Sequence, residues 1–213
     1  TGMRRTGKSY LLRQLMGELR ARKVPSGRIH LIDKESVEFD AIATYKDVVD
    51  YLKKQTGKVK GRHYLLIDEV QEIEQWEKAA NSYLKAGDLD IYLTGSNAHM
   101  LSSELATLLS GRFVEIPVYP LSLPEFLQFN GRDAAAAEEL FPLYLRYGGF
   151  PAIHQFVQNE DTIYQYINSL YDTIILKDIV NRREIRNVPL FQNISRFVYD
   201  NIGSLVSSRR IEG

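Results

Sequence analysis

The sequence predicts an α/β fold: short buried strands in a parallel sheet, alternating with amphipathic helices and followed by a segment made of helices only. Three observations carry that expectation. Apolar runs at 28–33, 64–68, 89–94 and 113–118 are separated by segments whose apolar residues recur every three to four positions. The stretch Gly2–Ser9, GMRRTGKS, fits the phosphate-binding pattern G-x-x-x-x-G-K-[ST] at every fixed position. After Pro120 the alternation gives way to helical periodicity alone, which places a boundary near Leu121.

The glycine stretch sets the chemistry. Gly2 and Gly7 open backbone conformations closed to other residues, so successive N–H groups can turn inward around a phosphate. Lys8 reaches the β- and γ-phosphates. Ser9 offers a hydroxyl to Mg²⁺ and opens a helix whose N-terminal dipole favours the anion. Nucleotide contacts are assigned to Gly2, Arg4, Arg5, Thr6, Gly7, Lys8, Ser9 and Tyr10, with Ser9 also on the metal. A four-position pattern also arises by accident, and the stretch is then only a basic loop. Such a loop hangs from the end of a buried strand, and here Thr1 alone precedes it. The chain therefore reads as a fragment lacking its first strand, in which the loop has lost one anchor and is expected to form a poor site.

Taken in order, Leu11, Leu12, Leu15, Met16 and Leu19 make one face of a helix over 10–22, which Pro25, Ser26 and Gly27 end. Arg28–Asp33 is a strand. Thr44 and Asp47 form a capping box for a second helix, which buries Val48, Val49 and Leu52 and runs into a Lys/Gly-rich loop over 53–61. Tyr64–Gln71, YLLIDEVQ, is a strand ending in two carboxylates. At the carboxyl edge of a parallel sheet, Asp68 would hold Mg²⁺ through its water shell and Glu69 would orient and deprotonate a water. The same pair also suits an acidic turn. The acidic strand follows the loop after one complete strand–helix unit, the order of P-loop ATPases with an extra strand and a catalytic glutamate.

A third helix spans 73–85 with Trp76 in the core, and the strand Leu89–Thr94 ends at Gly95, Ser96 and Asn97. Either Ser96 or Asn97 could bond the γ-phosphate or the lytic water, or cap a helix. A fourth helix over 101–110 stops at Gly111. Arg112 then precedes a last strand, Phe113–Val118, where it either reaches a neighbouring subunit's nucleotide or stays a surface arginine. Ser122 and Glu125 form a second capping box. Helices follow over 140–146, 161–180 and 189–202, broken at Tyr147–Pro151. The cluster Lys177, Arg182, Arg183 and Arg186 suits a solvated helix end or an anionic partner.

Composition bounds the rest. With 213 residues, 44% of them hydrophobic, the chain can bury a real core. Its net charge is zero, so any anionic partner must be sought in local patches. Having no cysteine, it forms no disulfide or thiolate metal site, which suits a cytoplasmic protein. No apolar run approaches a bilayer span. His30, His63, His99 and His154 lack metal-ligand spacing and read as structural or surface.

Together GMRRTGKS, YLLIDEVQ, LTGSN with SSELATLLSGR, VYPLSLPEF, YGGFP and LKDIVNRREIR resemble the AAA-type ATPases of archaea and bacteria that carry a C-terminal winged helix and a nuclease-like domain. The resemblance covers nearly the whole chain. It implies ATP as nucleotide, a sheet ordered 5-1-4-3-2 whose central first strand is missing here, and a helical lid. The chain would then divide into an ATPase core over 1–120, a lid over 121–202, and the start of a winged helix over 203–213. Carried over by position, the resemblance supports Lys8 and Ser9 on phosphate and Mg²⁺, Asp68 and Glu69 as the catalytic pair, and more loosely Ser96, Asn97 and Arg112. The function expected is Mg-dependent ATP hydrolysis driving a switch or motor, with a possible homo-oligomer through Arg112, possible DNA contact through the C-terminal region and no membrane partner. The alternatives are a DNA-associated or partner-binding module in which ATP only sets conformation, and a kinase on the same fold. No N-K-x-D or T-K-x-D guanine-reading motif is present.

Overall fold

Helix α1 (Lys8–Ala21) opens two residues earlier than periodicity predicts, because Gly7, at φ 103° and ψ 12°, turns the chain directly into it. It buries Leu12 and Leu19 and leaves Arg13, Arg20 and Arg22 outward. The computed structural model describes residues 1–57, 59–87, 89–96, 112–156, 159–174, 179–180 and 185–204, in two compact units, Thr1–Val157 and Gln158–Gly213.

In the first unit, β1 (Ile29–Asp33), α2 (Tyr45–Thr56), β2 (His63–Asp68), α3 (Trp76–Ala86) and β3 (Leu89–Leu93) alternate as expected. Thr44 caps α2 with its backbone N–H and hydroxyl both donating to Asp47 Oδ2 at 2.8 Å. Helix α3 starts later than its apolar spacing suggests: residues 70–72 form a separate turn, and Gln75 is left-handed at φ 57°. The strands are parallel in the order β1-β2-β3, with Asp33 beside Asp68 and Ile67 beside Leu93. On one face Ile32, Leu65 and Ile67 pack with Val48, Leu52, Trp76, Ala79 and Ala80 of α2 and α3. On the other, Ile29 and Leu66 pack with Leu12 and Leu19 of α1. Each such large aliphatic side chain contributes roughly 1.5–3 kcal/mol by leaving water.

The strand expected at 113–118 does not form. Residues 112–119 carry no ladder, and Val114, Ile116 and Tyr119 are exposed. Among the described residues its pairing is with Thr1, whose nitrogen donates to the Ile116 carbonyl at 3.0 Å and whose carbonyl accepts from the Val118 N–H at 2.8 Å. Those two bonds have the parallel pattern. Pro117 and Pro120 supply no donor. Gly2 follows at φ 144°, where a Cβ would sit 2.2 Å from the Val118 oxygen. The expected helix at 101–110 lies outside the described residues.

Beyond Leu121 every described element is helical. Ser122 caps α4 (Leu123–Phe129), its hydroxyl donating to Glu125 at 2.7 Å. After a turn at Ala134–Ala136, α5 (Ala137–Tyr147) ends at the YGGFP stretch. There the Leu121 N–H donates to the Gly149 carbonyl at 2.7 Å, and a Cβ at 149 would lie 2.1 Å from the Leu121 oxygen. In the second unit, Asn159 and Asn187 cap α6 (Glu160–Thr173) and α7 (Val188–Asp200). Lys177, Arg182, Arg183 and residues 205–213 lie outside the described residues, whereas Arg186 is exposed at a bend. Among the described residues no helix is long and apolar enough to cross a membrane.

Two of the four histidines form a pair the sequence does not announce. His30 and His63, diagonal neighbours on one face of the sheet, are each about 5% exposed and lie 2.9 Å apart, Nε2 to Nδ1. His63 Nε2 lies 2.8 Å from the Val59 carbonyl, which can only accept, so in the neutral ring His63 Nδ1 accepts from His30. Burial first, and the neighbouring His63 second, hold the His30 pKa below its ordinary 6.5.

Because the fold prefers neutral His30, its contribution is complete above about pH 6.5 and is lost as pH falls below that. Thermal melts at about pH 8 and about pH 5.5 should therefore show a smaller acid-induced drop in His30→Gln than in the parent protein. Gly2→Ala should lower stability by on the order of 1–3 kcal/mol, read as a shift in denaturant midpoint, since both its φ and the Val118 oxygen oppose a side chain.

Candidate functional site

The loop folds around one carbonyl. Thr6 Oγ1 and Lys8 Nζ donate to the Met3 oxygen at 2.9 and 2.7 Å, and both side chains are buried, at 4% and 5% exposure. Gly7 has nothing within 4 Å of where a Cβ would stand, so its outer side is open. Gly7, the N-cap of α1, has no side chain to cap the first turn, and the N-terminus of a helix favours an anion. Ser9 is half-buried in that turn, Arg4 is half-buried, and Arg5, at φ 64°, and Tyr10 are exposed.

Two features fix which end of the sheet the loop occupies. Arg13, in the second turn of α1, lies 3.8 Å from Asp33 at the end of β1. The far end of the helix, closed by the Val24 N–H donating to the Leu19 carbonyl, leads within a few residues into the start of β1 at Ile29. Helix α1 thus runs antiparallel to the strands, and the loop sits at their carboxyl edge with Asp68 and Glu69.

At that edge Thr94, immediately beyond β3, joins the strand ends. Its N–H donates to the Ile67 carbonyl and its carbonyl accepts from the Val70 N–H, both at 2.9 Å. Its hydroxyl donates to Asp68 Oδ1 and accepts from the Glu69 N–H at 3.2 Å. One side chain therefore fixes the Asp68 carboxylate and the Glu69 backbone together. Both acids are buried, at 3% and 9% exposure. Glu69 is held at φ 53° and ψ 54°, a left-handed conformation uncommon outside glycine. Gln71 Nε2 donates to Glu69 Oε2. Among the described residues Gln71 Oε1 and Ser96 Oγ are buried with no hydrogen-bond partner, which leaves polar capacity for a ligand or water.

Of the residues singled out by sequence, Lys8, Ser9, Asp68, Glu69 and Ser96 thus come from elements that meet at one sheet edge. Arg112 is exposed at the head of the unpaired segment, and Asn97 lies outside the described residues. Thr94 and Gln71 are the residues the sequence reading passed over. Thr94 carried a signal, a polar residue closing a mostly apolar strand before glycine, but its partners depend on register. The donor set fits a magnesium nucleotide: Ser9 and Asp68 offer hard oxygens for the cation, and Lys8 with the uncapped amides offers donors for phosphate.

The family described as "AAA domain" matches residues 1–127, and a family described as "Domain of unknown function (DUF8612)" matches residues 138–213. An uncharacterized protein of Haemophilus influenzae is 36% identical over 213 residues, covering 99% of this chain and 53% of that protein. The uncharacterized protein MJ1544 of Methanocaldococcus jannaschii is 28% identical over 219 residues, covering 99% of this chain and 48% of that protein. The chain spans about half the length of these curated relatives. With its glycine loop and buried carboxylates at one edge of a parallel sheet, the chain belongs to the AAA domain family.

Proposed function

We propose that this module binds Mg·ATP and hydrolyses it. The supporting observation is the Thr94 bridge: a buried hydroxyl that fixes Asp68 and Glu69 at the sheet edge that also carries the buried Lys8 loop. In this reading Lys8 and the amides of Gly7 to Tyr10 hold the β- and γ-phosphates, and Arg4, Arg5 and Thr6 shape the loop. Ser9 and Asp68 hold the cation. Bound there, Mg²⁺ neutralises charge on the phosphates. Glu69 takes a proton from water as its oxygen bonds to the γ-phosphorus. The bond to the bridging oxygen breaks, and ADP and phosphate leave. Ser96 or Asn97 orients the terminal phosphate, and Arg112 acts across a subunit boundary in a homo-oligomer. Residues 1–120 form the nucleotide core, 121–202 a helical lid, and 203–213 the opening of a winged helix.

A second reading, in which nucleotide sets conformation and turnover is slow, draws on Gln71. Its bond to Glu69 Oε2 engages one of the oxygens that would take the proton. Both readings share the site and differ in rate.

Two substitutions test the assignment in the full-length protein. Glu69→Gln should lower phosphate release about 100-fold or more with ATP binding retained, because it removes the base and keeps the shape. Unchanged hydrolysis would sink the mechanism. Thr94→Val keeps volume but removes both hydroxyl bonds. It should slow hydrolysis about 10-fold and lower stability by about 1–3 kcal/mol, since it strands a buried carboxylate and an amide. A stability loss with normal turnover would make Thr94 structural only.

A further inference from the structure

The zero net charge hides a segregated surface. Segments 20–28 and 53–62 contain nine Lys or Arg residues and no Asp or Glu. Segments 33–40 and 68–74 contain eight Asp or Glu and one Lys. In this parallel sheet the first pair of segments leads into β1 and β2 and the second pair leaves them. The amino edge of β1 and β2 is therefore basic, at the opposite end from the proposed nucleotide site.

Contacts make the two basic segments one surface. The 26–28 turn adjoins α2. Gly27 faces the Val59 side chain, a Cβ at 27 standing 3.0 Å away. The Arg28 guanidinium lies over Gly61, where a Cβ would come within 2.7 Å. Arg62 reaches Asp90 of β3 at 3.7 Å and also interacts with Tyr92, as does Arg22. Lys23, Lys53, Lys54, Lys60 and Arg62 are exposed, and among the described residues the four lysines have no ion-pair partner.

Cations in the last turn of a helix are favoured by the helix dipole, which accounts for Lys53 and Lys54 singly. It does not reach Lys60 and Arg62, which lie between α2 and β2. Lysine is depleted from protein–protein interfaces, so a face this rich in it is poorly suited to a protein partner. A membrane surface is also disfavoured: none of the exposed large hydrophobic residues of the described chain falls in 18–28 or 53–64. We propose that the amino edge of the sheet binds the phosphate backbone of nucleic acid, independently of sequence and of the nucleotide site.

The test uses the full-length protein, a short fluorescein-labelled duplex DNA, and a variant carrying Lys23→Gln, Lys53→Gln, Lys54→Gln and Lys60→Gln. Because all four side chains are exposed, the variant should keep the parent melting temperature. The parent protein should bind the duplex at about 50 mM salt, with affinity falling as salt rises. In the variant the log–log salt slope should be shallower by about 0.9 for each phosphate contact removed. A second variant, Arg182→Gln with Arg183→Gln, should bind as the parent does. Three outcomes overturn the proposal: no duplex binding at low salt, the same slope in the four-lysine variant, or binding to phosphatidylserine vesicles without binding to DNA.

Discussion

The hydroxyl of Thr94 is the joint on which the sheet edge depends. Central strand β2 has a neighbour on each side, but its last two carboxylates lie at and beyond the end of the ladders. Without a cross-strand tie they would sit on a free chain end. The tie comes from Thr94, which continues the backbone bonding by one residue and adds a side chain able to donate and accept at once. Serine could supply the hydroxyl, but its side chain is less constrained at χ1 than that of the β-branched residue. Order at the edge thus comes from a residue that need not touch substrate.

The parts of the fold governed by local rules were legible in the sequence. Both capping boxes, Thr44 with Asp47 and Ser122 with Glu125, are present, and Trp76 is in the core. Boundaries shifted where backbone conformation overrode periodicity, as at Gly7 and Gln75. The stretch 113–118 misled because alternating apolar residues report only that a strand could form. Pairing needs a neighbour and donors, and Pro117 removes one donor in the middle. At the site, the glycine loop and the acidic pair were legible because their spacing is fixed along the chain. Thr94 and the His30–His63 pair were not, because each is created by register between strands far apart in sequence.

The distribution of charge shows the same division between composition and topology. A balance of zero describes a neutral molecule, yet parallel connectivity sends every strand the same way. Segments before the strands and segments after them therefore collect at opposite edges, and around β1 and β2 they differ in sign. A single molecule can then offer different electrostatics to two partners without a net field.

Glu69 shows where stability and activity pull against each other. Its left-handed backbone, at φ 53°, would be more comfortable for a residue with no side chain, by on the order of 1–3 kcal/mol. The strain sits at the residue proposed to carry the reactive carboxylate. Selection for heat resistance alone would then favour shedding that side chain at position 69, and the gain in stability would come with the loss of turnover.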